Sequence, residues 1–185
     1  QTRLICLEAF NKFSQGNSEK APDISELAKL QTNPSEGRLL ESVEKVTSKI
    51  GQFSESDQES IRRCLGIIIG GQIQDIDRFS KSSSSICSLE EDSELDDYAY
   101  RVAGSVGEFW TRMSLDHQFE ADNDTESLLL EKSVRFGKAL QMINILRDIP
   151  SDLSLGRCYM PRRSLVEHGL TPEDLLEPGY MEQFM

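Results

Sequence analysis

Three residues late in the chain have the types and the spacing to hold a cation. Asn144, Asp148 and Asp152 recur at i, i+4 and i+8. Positions three or four apart share a helix face, so the amide and the two carboxylates form one polar row, which Gln141 extends backward. The residues alongside, Leu140, Ile143, Ile145 and Leu146, are apolar. Polar groups in apolar surroundings are costly to bury unless something binds them. Oxygen ligands suit a hard cation, and Mg2+ is commonly held by one or two carboxylates, several waters and substrate phosphates. The row therefore fits a Mg2+–diphosphate platform. The same spacing also fits a helix end whose acids face water.

Composition narrows the classes. The chain has 185 residues, 37% of them hydrophobic and 28% charged, with a formal charge of −12. That length fits a single domain over residues 1–185. A nucleic-acid binder normally carries a basic footprint, which this chain lacks, so nucleic acid is not expected as a partner. Anionic ligands stay admissible, because a bound metal inverts the local sign. Cys6, Cys64, Cys87 and Cys158 contain no C-x-x-C pair, which argues against zinc. Cys6 and Cys64 lie in apolar helical patterns and read as reduced core residues, so a cytoplasmic location is expected. No run of eighteen apolar residues exists to span a membrane. The first residues show no signal peptide and enter directly in helical pattern, as the central part of a longer domain would.

The elements that must position the row are helices. Leu4, Leu7, Ala9 and Phe10 predict a first one, ending in Ser14 to Ser18; Ile24, Leu27 and Leu30 permit a short second; Leu39, Leu40, Val43, Val46 and Ile50 predict one helix stopped at Gly51. A long helix follows, capped by Ser56 or Asp57, with Ile61, Leu65, Ile68, Ile69, Ile73, Ile76 and Phe79 as its stripe. Gly71, Gln72, Asp75 and Phe79 share one side of it, and Gly66, Gly70 and Gly71 make room for close packing or a ligand. The stretch 80–94, with Ser82 to Ser85, reads as a solvated loop. Ser88-Leu89-Glu90-Glu91 reads as a capping box. Leu95, Tyr98, Val102, Val106, Phe109 and Met113 carry the next helix, whose small residues Ala103, Gly104 and Gly107 admit another helix or an apolar ligand. After a polar connection, Leu128 to Leu146 form the helix of the row; Gly137 is read as space for a substrate, and Pro150 ends or kinks the helix near Ile149. Gly156 to Pro161 is extended and apt to fold back across that helix end, and Thr171-Pro172 opens a last helix. No sheet is expected, and His117 and His168 read as surface residues.

Three separated blocks resemble the squalene/phytoene synthase family when taken together: Tyr98-Ala99-Tyr100-Arg101-Val102-Ala103-Gly104-Ser105-Val106-Gly107; Gly137 through Asp148, like the family's second aspartate-rich helix; and Gly156-Arg157-Cys158-Tyr159-Met160-Pro161. Gly71-Gln72-Ile73-Gln74-Asp75 is similar to a weaker block, with Gln72 where Met is usual. The resemblance implies an all-α isoprenoid synthase bundle. It implies a prenyltransferase that joins two prenyl diphosphates, farnesyl diphosphate foremost, head to head, with Mg2+ assisting diphosphate departure. The product is presqualene diphosphate and squalene, or a phytoene-like hydrocarbon; NADPH enters only if squalene is made. Asp148 and Asp152 match the second D-x-x-x-D and, with Asn144, would hold the metal. Asp148, Asp152 and Tyr159 are the implied catalytic residues. Gln141, Asn144, Arg147 and Arg157 fall beside the diphosphates, and Tyr98, Val102, Ala103, Gly104 and Gly107 border the prenyl cavity. Peripheral membrane contact would suit such greasy substrates, and the oligomeric state is left open.

The chain departs from the family pattern in three ways. It contains no convincing first D-x-x-x-D, and Asp75-Ile76-Asp77 matches a different block. Pro150-Ser151 stands in place of Gly-Glu between the two aspartates. The last helices would follow Met185. The expectation is a fragment lacking the first Asp-rich helix and the C-terminal helices, inactive alone. The other readings are a catalytically inactive relative serving as an assembly scaffold, and an α-helical interaction domain of accidental similarity.

Overall fold

The computed structural model describes residues 2–17, 20–80 and 86–177; the expected Ser82–Ser85 loop, Ser18 and the entry at Gln1 lie outside them. The chain forms two compact units, Gln1–Ile73 and Gln74–Met185. Among the described residues the structure is helical apart from one two-residue strand pair, and no helix is long and apolar enough to cross a membrane.

The first unit begins with α1 (Thr2–Ser14), α2 (Ser25–Lys29), α3 (Pro34–Glu41) and α4 (Val43–Thr47), followed by a 3-10 turn at Ile50–Gln52. The single helix expected from Leu39 to Ile50 is thus broken. Ser42 Oγ donates to the Arg38 carbonyl and Ser48 Oγ to the Lys45 carbonyl, each at 2.9 Å. Serines that bond back onto helix carbonyls compete with helix continuation. Leu39 and Val46 stay 68% and 63% exposed, so little apolar burial opposes the break. Then comes α5 (Glu55–Phe79), a 25-residue helix whose last residues belong to the second unit. Its cap is Ser54, two or three residues before the expected position: Ser54 Oγ accepts from the Asp57 N–H at 3.2 Å. Cys64 is buried as expected, and Cys6 is half-buried. Near Gly66 a Cβ would meet Ser14 Oγ at 3.2 Å, so that glycine serves close packing.

The second unit holds the site. Strand β1 (Cys87–Ser88) leads to α6 (Asp92–Ala99), a π-helical turn at Tyr100–Gly104, α7 (Ser105–His117) and α8 (Asn123–Ser154); strand β2 (Arg157–Cys158), α9 (Arg162–Glu167) and a 3-10 turn at Glu173–Leu176 complete it. β1 and β2 pair in parallel, Cys87 opposite Arg157 and Ser88 opposite Cys158. The pairing displaces the expected capping box. Ser88 is committed to the strand, and the box closes three residues later, where Glu94 accepts from the Glu91 N–H at 3.2 Å. Leu89 is fully buried and packs with Phe79, Ile145 and Tyr159, and the first two N–H groups of α9, on Arg162 and Arg163, donate to the Leu89 and Glu90 carbonyls. The helix expected from Thr171 is only the 3-10 turn, with Thr171 N–H and Oγ1 both donating to Asp174 at 2.7 Å.

Pro150 does not end α8. The helix runs 32 residues, from its cap at Asp122 to Ser154, with Pro150 inside. A proline removes one i→i−4 donor, here the partner of the Leu146 carbonyl. Leu146 is 48% exposed, so water can take that bond. Asp152 therefore stays on the helix, one turn beyond Asp148. Gly156, at φ 76°, then turns the chain from α8 into β2, in a backbone conformation that L side chains rarely adopt.

Candidate active site

The polar row lies along the C-terminal half of α8. Gln141, Asn144, Asp148 and Asp152 are all half-buried, beside the buried Ile145 and the exposed Leu140, Ile143 and Leu146. This end of a helix carries the negative end of its dipole, and two carboxylates add to it. An anion such as diphosphate binds there only through cations. Two arginines are at hand. Arg147 grips Asp148 with two bonds of 2.7 Å, and its guanidinium holds the Asp148 carboxyl below the usual carboxylate range. Arg157 stands on β2, near enough to Asp152 for its charge to be felt there.

Asp152 is pushed the other way. Partial burial raises its carboxyl above the ordinary value, and the negative charges of Asp148 and Asp75 raise it further, against the pull of Arg157. A carboxylate short of positive charge, one helical turn from another, is the donor chemistry a divalent cation completes. Asp148 and Asp152 with the Asn144 amide thus fit two-carboxylate, water-rich binding. Among the described residues no group of three or more His, Cys, Asp or Glu side chains is arranged to hold a metal ion. The sign for stability follows. A raised folded-state value means that ionised Asp152 opposes folding at neutral pH, and that this opposition fades as pH falls toward the unfolded value. Without metal, Asp152→Asn is expected to melt higher than the wild type at pH 7, with the advantage shrinking by pH 4. Thermal melts at the two pH values check this, and an advantage that grows on acidification would contradict it.

Beside the row, β2 and α5 bring together residues that the sequence leaves far apart. Tyr159 donates to Asp75 at 2.7 Å, and Arg157 donates to the same carboxylate at 3.2 Å. The Tyr159 ring stacks on Tyr98 at 4.6 Å between centroids, and meets Phe79 edge-on at 5.2 Å. Burial holds both phenols above their ordinary values, so both stay protonated at neutral pH. Phe79, Leu89, Ile145 and Tyr159 form one buried cluster beneath this face, with Tyr98, Leu95 and Met142 packed on it. The structure therefore gathers Tyr98, Arg157, Tyr159 and Asp152, with Asp148 one turn away. It adds Asp75, which the sequence reading grouped with Phe79 on one side of α5 but gave no role.

The small residues occupy a second zone. A Cβ on Gly107 would overlap the Ser133 carbonyl, its carbon 2.9 Å away. A Cβ on Gly137 would overlap the Ala103 carbonyl and lie 3.0 Å from Gly104 Cα. A Cβ on Gly104 would lie 3.1 Å from the Tyr100 ring and 3.3 Å from Lys138. These glycines let the π-helical turn and α7 press against α8. Gly137, expected to leave space for a substrate, is filled by the Ala103 backbone, because the neighbouring element was not visible from helix spacing alone. Val102 and Ala103, on the same turn, are half-buried. This zone and the carboxylates stand apart along α8: Gly137 and Asp148 are eleven residues, or about 16 Å, apart on the helix axis.

The family model for squalene/phytoene synthases matches residues 15–185. The chain is 38% identical over 96 residues to a bifunctional lycopene cyclase/phytoene synthase of Podospora anserina, covering 51% of this chain and 16% of that protein. It is 40% identical over 90 residues to the protein of the same description from Neurospora crassa, covering 48% and 15%. It is 42% identical over 81 residues to a 15-cis-phytoene synthase of Enterobacter agglomerans, covering 44% and 25%. The matched part is thus a quarter or less of these relatives' own lengths. With the match running through nearly all of the sequence, the chain belongs to the squalene/phytoene synthase family.

Proposed function

We propose that this chain contributes the second metal-binding half of a prenyltransferase that condenses two prenyl diphosphates head to head, farnesyl diphosphate foremost. The observation that carries the reading is a polar end and a close-packed apolar end on one helix, α8, with cationic and phenolic groups beside the polar end. A substrate with a charged head and a hydrocarbon tail has the same division. The product is presqualene diphosphate and squalene with NADPH, or a phytoene-type hydrocarbon without it; the names of the relatives favour the latter.

Asp148, Asp152 and Asn144 would hold Mg2+, which when bound offsets the charge of the departing diphosphate. Arg147 and Arg157 bind the phosphate oxygens, and Arg147 gives up its grip on Asp148 to do so. Gln141 extends the polar row toward the allylic carbon. Tyr159 and Tyr98 stay neutral and present fixed hydroxyl dipoles, which stabilise developing charge without reorganising. Val102, Ala103, Gly104 and Gly107 keep their helices tightly apposed, excluding water from the carbocation. Greasy substrates and products would bring the protein to a membrane surface as a peripheral visitor.

The test is product analysis with the full-length protein. Farnesyl and geranylgeranyl diphosphates are supplied separately, with Mg2+ or EDTA, and with or without NADPH. Mg2+-dependent release of diphosphate together with a joined hydrocarbon is expected. A well-folded protein that releases none from either substrate would contradict the reading and favour a scaffold role.

A further inference from the structure

The proposed chemistry leaves Asp75 without a part. It lies on α5 with its side chain only 14% exposed. Its two oxygens go to two different partners: Oδ1 accepts from the Tyr159 hydroxyl at 2.7 Å and Oδ2 from Arg157 Nη1 at 3.2 Å. Residues 157 and 159 are two apart, so they project from one side of the extended segment, and one carboxylate meets both.

That division decides what Arg157 has left. An arginine and a carboxylate frequently meet as two forks, with two parallel N–H···O bonds. Arg147 and Asp148 do so, with both bonds at 2.7 Å. Arg157 does not, because the Tyr159 phenol already holds the second oxygen. It is held instead by one longer bond and by the Phe79 ring, whose centroid lies 5.8 Å from its Cζ. A guanidinium carries five N–H donors and no acceptor. Among the described residues, the bond to Asp75 is the one hydrogen bond that the Arg157 side chain makes. Its other donors stay open on a side chain 30% exposed, in a narrow crevice that it shares with Asp152. Open guanidinium donors in a fixed place suit the oxygens of a phosphate group. The two arginines of the site therefore differ: the fork of Arg147 is closed on Asp148, and that of Arg157 is open.

We propose that Asp75 and Tyr159 together keep Arg157 as the open anion receptor of the site. The carboxylate fixes the guanidinium in place. The phenol, by occupying Oδ1, stops the carboxylate from closing on the guanidinium with both oxygens. Tyr159 is in this respect a positioning residue that acts through Asp75. That the anion is a diphosphate rests on the function proposed above; the open fork does not.

The test is a double-mutant cycle read by calorimetric titration of the full-length protein with inorganic pyrophosphate, at one fixed Mg2+ concentration. Tyr159→Phe frees Oδ1, lets Asp75 close on Arg157, and is expected to weaken binding about tenfold, the scale of a hydrogen bond to a charged group. Asp75→Asn keeps a single acceptor oxygen, which cannot form the fork. Added to Tyr159→Phe, it is expected to tighten binding at least about fivefold; alone it is expected to change the affinity less than about twofold, whereas independent effects would give one factor in both backgrounds. Packing damage, or a direct contact of Tyr159 with the anion, would not be repaired by a second substitution. Equal factors in the two backgrounds, or a double variant as weak as Tyr159→Phe, would overturn the proposal.

Arg157→Gln is expected to bind at least as weakly as Tyr159→Phe and to make the further change Tyr159→Phe silent. An Arg157→Gln protein that binds like the wild type, or a folded wild type that binds no pyrophosphate, would also overturn it. If Tyr159→Phe does not fold, Tyr159→Leu takes its place throughout. Product formation is followed on the same wild-type preparation. The predicted coupling without any joined product would sink the proposed function and leave the role of Asp75 and Tyr159 standing, while an active enzyme without the coupling would do the reverse.

Discussion

Asp148→Ala is expected to abolish diphosphate release in the full-length protein, with a loss of at least about a hundredfold, the scale seen when a preorganised charge-stabilising group is removed. Asp148 is the central member of the polar row and, in the proposed function, would hold the metal together with Asp152 one turn on. Among the described residues its strong partner is Arg147, on the adjacent residue and on an exposed surface. Exposed ion pairs contribute little to stability, so the substitution should leave folding nearly intact. The two effects separate cleanly: activity vanishes and the melting temperature barely moves. Diphosphate release and a thermal melt on one preparation check both. Unchanged release in Asp148→Ala would remove the metal assignment.

Gly137→Ala has the opposite profile and the largest expected effect on stability. In an ordinary helix interior Ala is favoured over Gly by about 1 kcal/mol. Here the added Cβ would overlap the Ala103 carbonyl, a backbone atom that no rotamer change can move aside. Overpacking of this kind costs about 1–3 kcal/mol, so the overlap outweighs the propensity and the sign reverses. In a chain of this size each kcal/mol moves the melting temperature by roughly 2–4 °C. Gly51→Ala is the control, since its Cβ would meet nothing within 4 Å and its backbone is unstrained. Equal melting temperatures for the two variants would show that the π-helical turn and α8 do not pack as closely as described.

Particular elements show how far the sequence reading reached. The polar row was legible because helix periodicity places Asn144, Asp148 and Asp152 on one face whatever surrounds them. The fold-back of residues 156–161 was legible from Gly156 and Pro161. Asp75 was not, since its meaning comes from Tyr159 and Arg157, more than eighty residues away. A hydrogen bond of that separation leaves no local pattern. Its traces were its place in the weaker block Gly71–Asp75 and a shared side of α5 with Phe79, which packs edge-on against Tyr159.

Pro150 shows the reverse error. Local rules made it a helix stop, but its lost hydrogen bond falls on an exposed turn where water can replace it. The fixed side of the helix, around buried Ile145 and Leu153, holds α8 together through that point. The small residues at 103, 104, 107 and 137 were read as room for a helix or a ligand, and only the facing backbone decides what each contacts. Ser88 was misread as a cap because a two-residue parallel pairing is too short to produce strand periodicity.

The most direct measurement of the central claim is a crossover experiment. The full-length protein is given an equal mixture of unlabelled and fully deuterated farnesyl diphosphate with Mg2+, and the hydrocarbon product is weighed by mass spectrometry. Head-to-head joining predicts a product of twice the prenyl length in three mass classes, near 1:2:1, with the middle class carrying one chain of each kind. Single-length prenyl alcohols without a mixed product would contradict the account, since they report hydrolysis rather than transfer.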